Sequence, residues 1–134
     1  MNSLEARDII FKVFNDVWNP AFPVIWQDKT GKPPNNDTAW ARVILRHANG
    51  GQSSLAGEVG TRRFTDSGIL MIQIFTLTAQ GMDQALGLAD IVQNAYEDAR
   101  TDVWFRDVRK QEGGVDGIFN LVNVFAEFNY DHVR

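Results

Sequence analysis

Cysteine is absent from the 134 residues of this chain, and histidine occurs only twice. Without cysteine there are no disulfides, no thiolate catalysis and no cysteine-based zinc sites, and the composition fits a reducing compartment. His47 and His132 lie on separate predicted strands, and neither has an acidic residue at a recognisable metal-ligand spacing. We therefore expect no metal and no cofactor.

Basic charge and long apolar runs are also scarce. The chain has 13 Lys and Arg against 17 Asp and Glu, a net charge of −4, which argues against tight binding of nucleic acid. No stretch approaches the roughly 18 consecutive apolar residues of a membrane span. The first residues, including Glu5, Arg7 and Asp8, lack the apolar core of a signal peptide. These features predict a cytoplasmic protein without membrane association.

Motifs that would carry catalysis are incomplete. Residues 28–33 resemble a phosphate-binding loop, but the spacing of the first glycine is missing and a proline replaces the hydroxyl residue. Ser53 and Ser54 lack the G-x-S-x-G context of an exposed nucleophile. Glu97 with Asp98, or Asp83 with Asp90, could form a carboxylate pair for acid–base catalysis. Their positions on the second predicted helix fit its solvent-exposed face better. We therefore expect that this protein is not an enzyme.

The apolar content is sufficient for one well-packed core. Hydrophobic residues make up 44% of the chain and charged residues 22%, with four Trp and nine Phe as large packing units. A chain of this length buries about 70% of its unfolded surface in a single core. The sequence therefore predicts one domain spanning residues 1–134.

Periodicity predicts two amphipathic helices and several strands. The first helix runs from about Ser3 to Trp18 with Asn2 as N-cap, and the second from about Met82 to Ala99. The inward stripe of the first helix is Ala6, Ile10, Val13, Phe14 and Val17. The predicted strands are Val24–Gln27, Ala39–His47, Thr61–Phe64, Gly68–Thr78, a strand starting at Val103–Arg106, and Phe119–Tyr130.

The arrangement of the strands follows from their pattern and their turns. Thr61–Phe64 and Gly68–Thr78 are expected to form a hairpin across residues 65–67, and the second of these strands is apolar enough to be central and covered on both sides. Residues 28–37, Asn49–Ser54 and the glycine-rich Gln111–Gly117 are expected to be loops. The fold class is α+β, with an antiparallel or mixed β-sheet of about five or six strands packed with two main α-helices.

Several polar residues are candidates for assembly contacts, with neighbouring subunits or with other proteins. The strands Ala39–His47 and Phe119–Tyr130 each have a mixed face, and the segments Asn49–Ser54 and Lys110–Gly117 are expected to be exposed. The candidate interface residues are Arg42, Arg46, Gln52, Ser53, Ser54, Arg62, Arg63, Lys110, Gln111, Glu112, Asn123 and Glu127.

The order of these elements resembles that of a known family. The strand Ile69–Phe75, the helix Met82–Asp90 with an "ALADAV"-like pattern at Ala85–Val92, and the final strand through Phe125–Phe128 are similar to the small tail terminator (tail completion) proteins of long non-contractile-tailed bacteriophages. The resemblance covers nearly the whole chain. It implies a structural protein that forms a ring, typically a homohexamer, which caps the tail tube, ends its polymerisation and provides a surface for joining the head.

The resemblance also implies partners and a location. The partners would be other copies of this chain, the tail tube protein and a head-completion or neck protein. Before assembly the chain would be either a monomer or already a ring. The protein would be in the host cytoplasm during assembly and then at the head-proximal end of the virion tail.

Two other functions remain open from the sequence. A neck or head-completion connector has a similar size and also forms rings. A small-ligand-binding or oxygenase-like α+β domain would use Trp40, Phe75, Trp104 and Phe128 to line an apolar pocket.

Overall fold

The structure is a computed structural model that describes residues 2–26, 38–48, 51–52 and 63–133. Within these residues the helices are α1 (Ser3–Val17) and α2 (Met82–Glu97). The strands are β1 (Val24–Trp26), β2 (Trp40–His47), β3 (Gly51–Gln52), β4 (Arg63–Leu77), β5 (Trp104–Asp116) and β6 (Phe119–Val133).

The strands form one mixed sheet in the order β1-β2-β4-β6-β5, with β3 paired to β4 off this path. The β1–β2 pair is parallel and the other pairs are antiparallel. This confirms the predicted α+β class. It also confirms that β4 is central, because β2 and β6 pair with it on opposite sides.

Local sequence explains where α1 begins and ends. The Asn2 side chain accepts a hydrogen bond of 2.8 Å from the Glu5 backbone N–H, as predicted for an N-cap. Trp18 is extended, and the proline at position 20 disfavours helical geometry beyond it. Of the predicted inward stripe, Val17 is exposed at the end of the helix.

Both helices belong to a single layer on one face of the sheet. Tyr96 of α2 joins this layer to α1, since its hydroxyl donates a 2.7 Å hydrogen bond to the Ile10 carbonyl. The core beneath the helices includes the alternating side chains of β6 that were predicted to share one side: Val122, Val124, Ala126, Phe128 and Tyr130.

The predicted hairpin across residues 65–67 is wrong, because β4 continues through them as one strand. Thr65, Asp66 and Ser67 pair with β6 in an unbroken register, and the Thr65 hydroxyl donates a 2.9 Å hydrogen bond to Asp131. Turn-forming residues are thus held extended by a long partner strand, which a local pattern cannot reveal. Residues 61 and 62 lie outside the described part of the chain.

The predicted glycine-rich connection is also wrong, because Gln111–Asp116 belongs to β5. The strand has two register shifts, and the one between Glu112 and Gly114 is at its glycines, whereas the other lies between Arg106 and Arg109. The turn to β6 is tight and contains Gly117 at a φ of 63°. The exposed loop predicted at residues 28–37 lies outside the described residues, as does most of the predicted 49–54 loop, of which Gly51–Gln52 forms β3.

Candidate assembly surface

The second face of the sheet, against which neither helix packs, is here termed the helix-free face. Along β4 this face is covered only in part, although complete cover had been predicted: Phe75 is buried, whereas Ile69, Met71 and Gln73 are half-buried. The half-buried apolar residues on this face include Ile25, Ile44, Ile69, Met71, Leu77, Leu121 and Phe125. Its charged residues are Arg42, Arg46, Arg106, Arg109, Glu127 and Asp131. The face therefore combines an apolar centre with an excess of arginine on a chain of negative net charge.

One end of the helix-free face is an aromatic cluster. Trp40 and Phe75 stack with ring centroids 4.0 Å apart and planes 8° apart, and Phe119 meets Trp40 edge-on at 6.0 Å. The Arg42 guanidinium lies 5.5 Å from the Trp40 ring centroid, a cation–π contact that fixes the arginine on this face. Arg42 also donates a 3.4 Å hydrogen bond to Gln73.

The other end contains a depression of about 240 Å³. Arg46, Ile69, Glu127 and Arg106 form one cross-strand row through β2, β4, β6 and β5, and all four line the depression. Arg46 and Arg106 are exposed, whereas Ile69 and Glu127 are half-buried. Ile69 and the carboxylate of Glu127 lie between the two arginines, so the depression offers one apolar contact and a net positive charge, which suits an apolar group flanked by acids.

The free edge of β5 is poorly suited to pairing with another strand. Its two register shifts interrupt the row of backbone groups, and Asp107 has a left-handed φ of 50°. The Arg109 side chain folds back to Asp107 at 2.8 Å and lies over the Phe125 ring at 5.1 Å. Bulges and charge on an edge strand oppose strand addition. The faces of the sheet and of the helical layer are therefore better suited than this edge to contact another protein.

The structure brings five of the predicted interface residues onto the helix-free face: Arg42, Arg46, Gln111, Asn123 and Glu127. Lys110 instead lies on the helical side, where its ammonium group pairs with Asp90 of α2. Glu112 is exposed in β5 opposite Val122. Gln52 is in β3 and Arg63 begins β4, but their side chains lie outside the described part, as do residues Ser53, Ser54 and Arg62.

Arg106 and Arg109 were not among the candidate interface residues predicted from the sequence, and the structure places both on this face. Both lie on it because Arg106 pairs with Glu127 and Arg109 with Phe125. The two residues are three positions apart, so strict alternation would place them on opposite faces. The bulge between them turns both side chains to the same face of the sheet, and no local sequence pattern predicts a bulge at this position.

The predicted four-residue aromatic pocket is wrong. Trp40 and Phe75 stack on the helix-free face, whereas Phe128 lies in the core beneath the helices. Trp104 is 52% exposed on β5. The four side chains are thus divided between two faces of the sheet and do not enclose a common cavity.

The two tyrosines occupy buried positions in the helical layer and the core. Burial raises the pKa of Tyr96, and the nearby Phe14 backbone group opposes this effect. Burial also raises the pKa of Tyr130, with the negative charge of Asp66 acting in the same direction. The Tyr130 hydroxyl lies 2.9 Å from Nε2 of His47, so this histidine makes a structural hydrogen bond.

Among the residues that the structure describes, no group of three or more His, Asp or Glu is arranged to hold a metal ion. Neither described helix combines the length and apolar character required to cross a membrane.

Comparisons with known proteins identify the family. A search of curated proteins finds no match to this chain. One solved structure is similar over 92% of this chain and 94% of its own length, with a TM-score of 0.58 and 16% sequence identity, a likeness that concerns the fold alone. The family model described as phage tail terminator protein matches residues 7–116, which extend from α1 to the end of β5. The chain therefore belongs to the phage tail terminator protein family, a family of structural proteins of the phage tail.

Proposed function

We propose that this protein forms a closed ring that caps the tail tube, ends tube polymerisation and then offers a surface for joining the head. The observation that carries the proposal is the family match over residues 7–116. A ring, in turn, needs a heterologous contact, in which two different surfaces of one chain meet. The described residues offer two such surfaces, the helical layer and the helix-free face.

The proposed partners follow from the role. Other copies of the chain would form the ring, in number typically six, and the tail tube protein would bind one side of it. A head-completion or neck protein would bind the other side. Assembly would take place in the host cytoplasm, and the finished ring would lie at the head-proximal end of the virion tail. The net charge of −4 fits a ring through which DNA passes without being held.

Tube length provides the test. The purified tail tube protein of the same phage is polymerised with and without this protein, and tube lengths are measured by negative-stain electron microscopy. We expect shorter tubes, each with an added ring at one end. An unrelated acidic protein of similar mass is the control.

An unchanged length distribution with bare tube ends would contradict the proposal. Binding to tailless heads with no effect on tubes would instead indicate a neck or head-completion protein, which was the alternative from the sequence.

A further inference from the structure

The outer surface of α2 carries acidic side chains around an exposed apolar residue, and one of these acids, Asp90, is paired with Lys110 of β5. The exposed residues of α2 and its C-cap recur at helical spacing and form the α2 stripe: Asp83, Gly87, Asp90, Ile91, Asn94, Glu97 and Asp98. No Lys or Arg occurs in α2. Ile91 is 50% exposed near the middle of the stripe. A single exposed apolar side chain is ordinary on a protein surface, so what distinguishes the α2 stripe is its acidic charge around that side chain.

The α2 stripe and the helix-free face are complementary. The stripe presents an isoleucine between acids, whereas the face presents a depression lined by Ile69, by two arginines (Arg46 and Arg106) and by one carboxylate, that of Glu127. Asp83 and Asp98 lie about 12 and 10 Å from Ile91 along the helix axis. Arg46 and Arg106 lie one and two strands from Ile69, about 5 and 10 Å away. The Arg106 spacing is close to those of the two carboxylates, whereas Arg46 lies nearer to Ile69 and has to extend its long side chain outward to meet a carboxylate when Ile91 enters the depression.

The other helix is a poorer match for this face. The exposed surface of α1 includes Lys12, which pairs with Asp16 at 2.9 Å. Its most exposed apolar residue, Leu4, is at the beginning of the helix and is 64% exposed. The α2 stripe therefore offers both a more uniform charge and a central apolar group.

We propose that the α2 stripe of a second copy of this chain docks on the helix-free face, with Ile91 in the depression beside Ile69 and between Arg46 and Arg106. The two surfaces lie on opposite sides of the sheet, so one copy cannot satisfy both, and the contact is heterologous. Repeating it joins successive copies head to tail, which closes into a ring or continues as a filament. This inference rests on the proposed ring function for its biological setting but concerns a specific contact.

The absence of cysteine allows a direct test by crosslinking. Single variants Ile91→Cys and Ile69→Cys are mixed and treated with a short bis-maleimide, so that every crosslink joins two copies. We expect a crosslinked dimer from the mixture and none from either variant alone. Leu4→Cys mixed with Ile69→Cys is the matched control, because it presents an equally accessible thiol on the other helix.

Each alternative contact gives a different result that would overturn the proposal. Dimers from Ile69→Cys alone would show that two sheet faces pack together, and dimers from Ile91→Cys alone would show helix-to-helix packing. A yield from the mixture no higher than that of the Leu4→Cys control would exclude a specific contact.

Non-covalent association gives an independent test by sedimentation. Ile91→Asp removes the apolar group of the stripe, and Arg106→Glu reverses one side of the depression. We expect each variant to be folded and its self-association to weaken by about tenfold or more. In a mixture of the two variants, the α2 stripe of Arg106→Glu and the helix-free face of Ile91→Asp are both intact. These two surfaces should bind each other, and the resulting dimers should not grow further because each remaining surface is impaired. Unchanged self-association of Ile91→Asp, with Leu4→Asp as control, would overturn the proposal.

The tube assay separates this inference from the proposed function. If the wild-type chain caps tubes and Ile91→Asp caps them equally well, the contact is wrong and the function stands. If the mixed cysteine variants crosslink as expected but the wild-type chain leaves tube lengths unchanged, the contact stands and the function is wrong.

Discussion

Substituting Gly68 by alanine tests the central register of the sheet. Gly68 lies in β4 between His47 of β2 and Phe128 of β6. A Cβ added there would lie 2.2 Å from the carbonyl oxygen of Arg46 and 2.5 Å from Cζ of Phe128. Comfortable contacts between non-bonded atoms are about 3.5 to 4 Å, so the strands must move apart or the core must repack.

The expected loss follows from the nature of the nearest atom. Overpacking a core costs about 1 to 3 kcal/mol, and the upper end applies here because a backbone oxygen in a paired strand cannot turn away as a side chain can. We expect Gly68→Ala to lower the free energy of unfolding by about 3 kcal/mol. For a chain of this length each kcal/mol shifts the melting temperature by about 3 to 4 °C, so the expected decrease is about 10 °C.

Thermal and urea unfolding followed by circular dichroism measure this loss. The matched control is Gly87→Ala on the exposed side of α2, where an added Cβ meets no atom within 4 Å. That variant should gain up to about 1 kcal/mol, because alanine favours helix. Adding Phe128→Leu to Gly68→Ala should recover little, since the clash with the Arg46 carbonyl remains. A Gly68→Ala variant as stable as the wild type would refute the register of β2, β4 and β6.

Three further outcomes concern the buried hydroxyls and the helix cap. Tyr96→Phe should cost about 1 kcal/mol in urea unfolding, because it removes the hydrogen bond to the Ile10 carbonyl; no loss would contradict the link between the helices. Since burial raises the pKa of Tyr96 and Tyr130, the unfolded chain loses these protons first. Stability should therefore be retained below about pH 10 and fall above it by about 1.4 kcal/mol per pH unit for each tyrosine. Tyrosinate absorbance that appears before unfolding would contradict this order, and Tyr96→Phe should lessen the slope. Asn2→Ala should cost about 1 kcal/mol in thermal unfolding, because Asn2 caps α1, whereas Asn2→Ser should retain most of the stability.

The helices and the class of the fold could be predicted because their determinants are local. The residues that cap α1 and those that form its apolar stripe lie within a few positions of each other in the sequence. The structure shows the predicted Asn2 cap and the predicted helix. The long apolar run at residues 69–77 likewise indicated a central strand. The family resemblance depended on the same features, and the family match confirms it.

The candidate surface could be predicted only in part. Arg42 and Arg46 alternate with apolar residues in β2, and Glu127 does so in β6. Because the apolar residues of each strand face the core, the sequence of each strand predicts that these charged residues face away from it. Nothing in the sequence shows that Arg106 joins them, because that depends on the pairing of β5 with β6. The depression at Ile69 is formed by four strands together and has no local counterpart.

The sequence by itself therefore determined the helices, the apolar strands and the family. The tertiary structure decided that residues 65–67 and 111–116 are extended, where turn-forming residues and glycines had indicated turns and a loop. It also decided which charges share a face. The physical reason is that caps and periodicity act between near neighbours along the chain, whereas strand pairing and bulges depend on partners many residues away, whose hydrogen bonds override local preference.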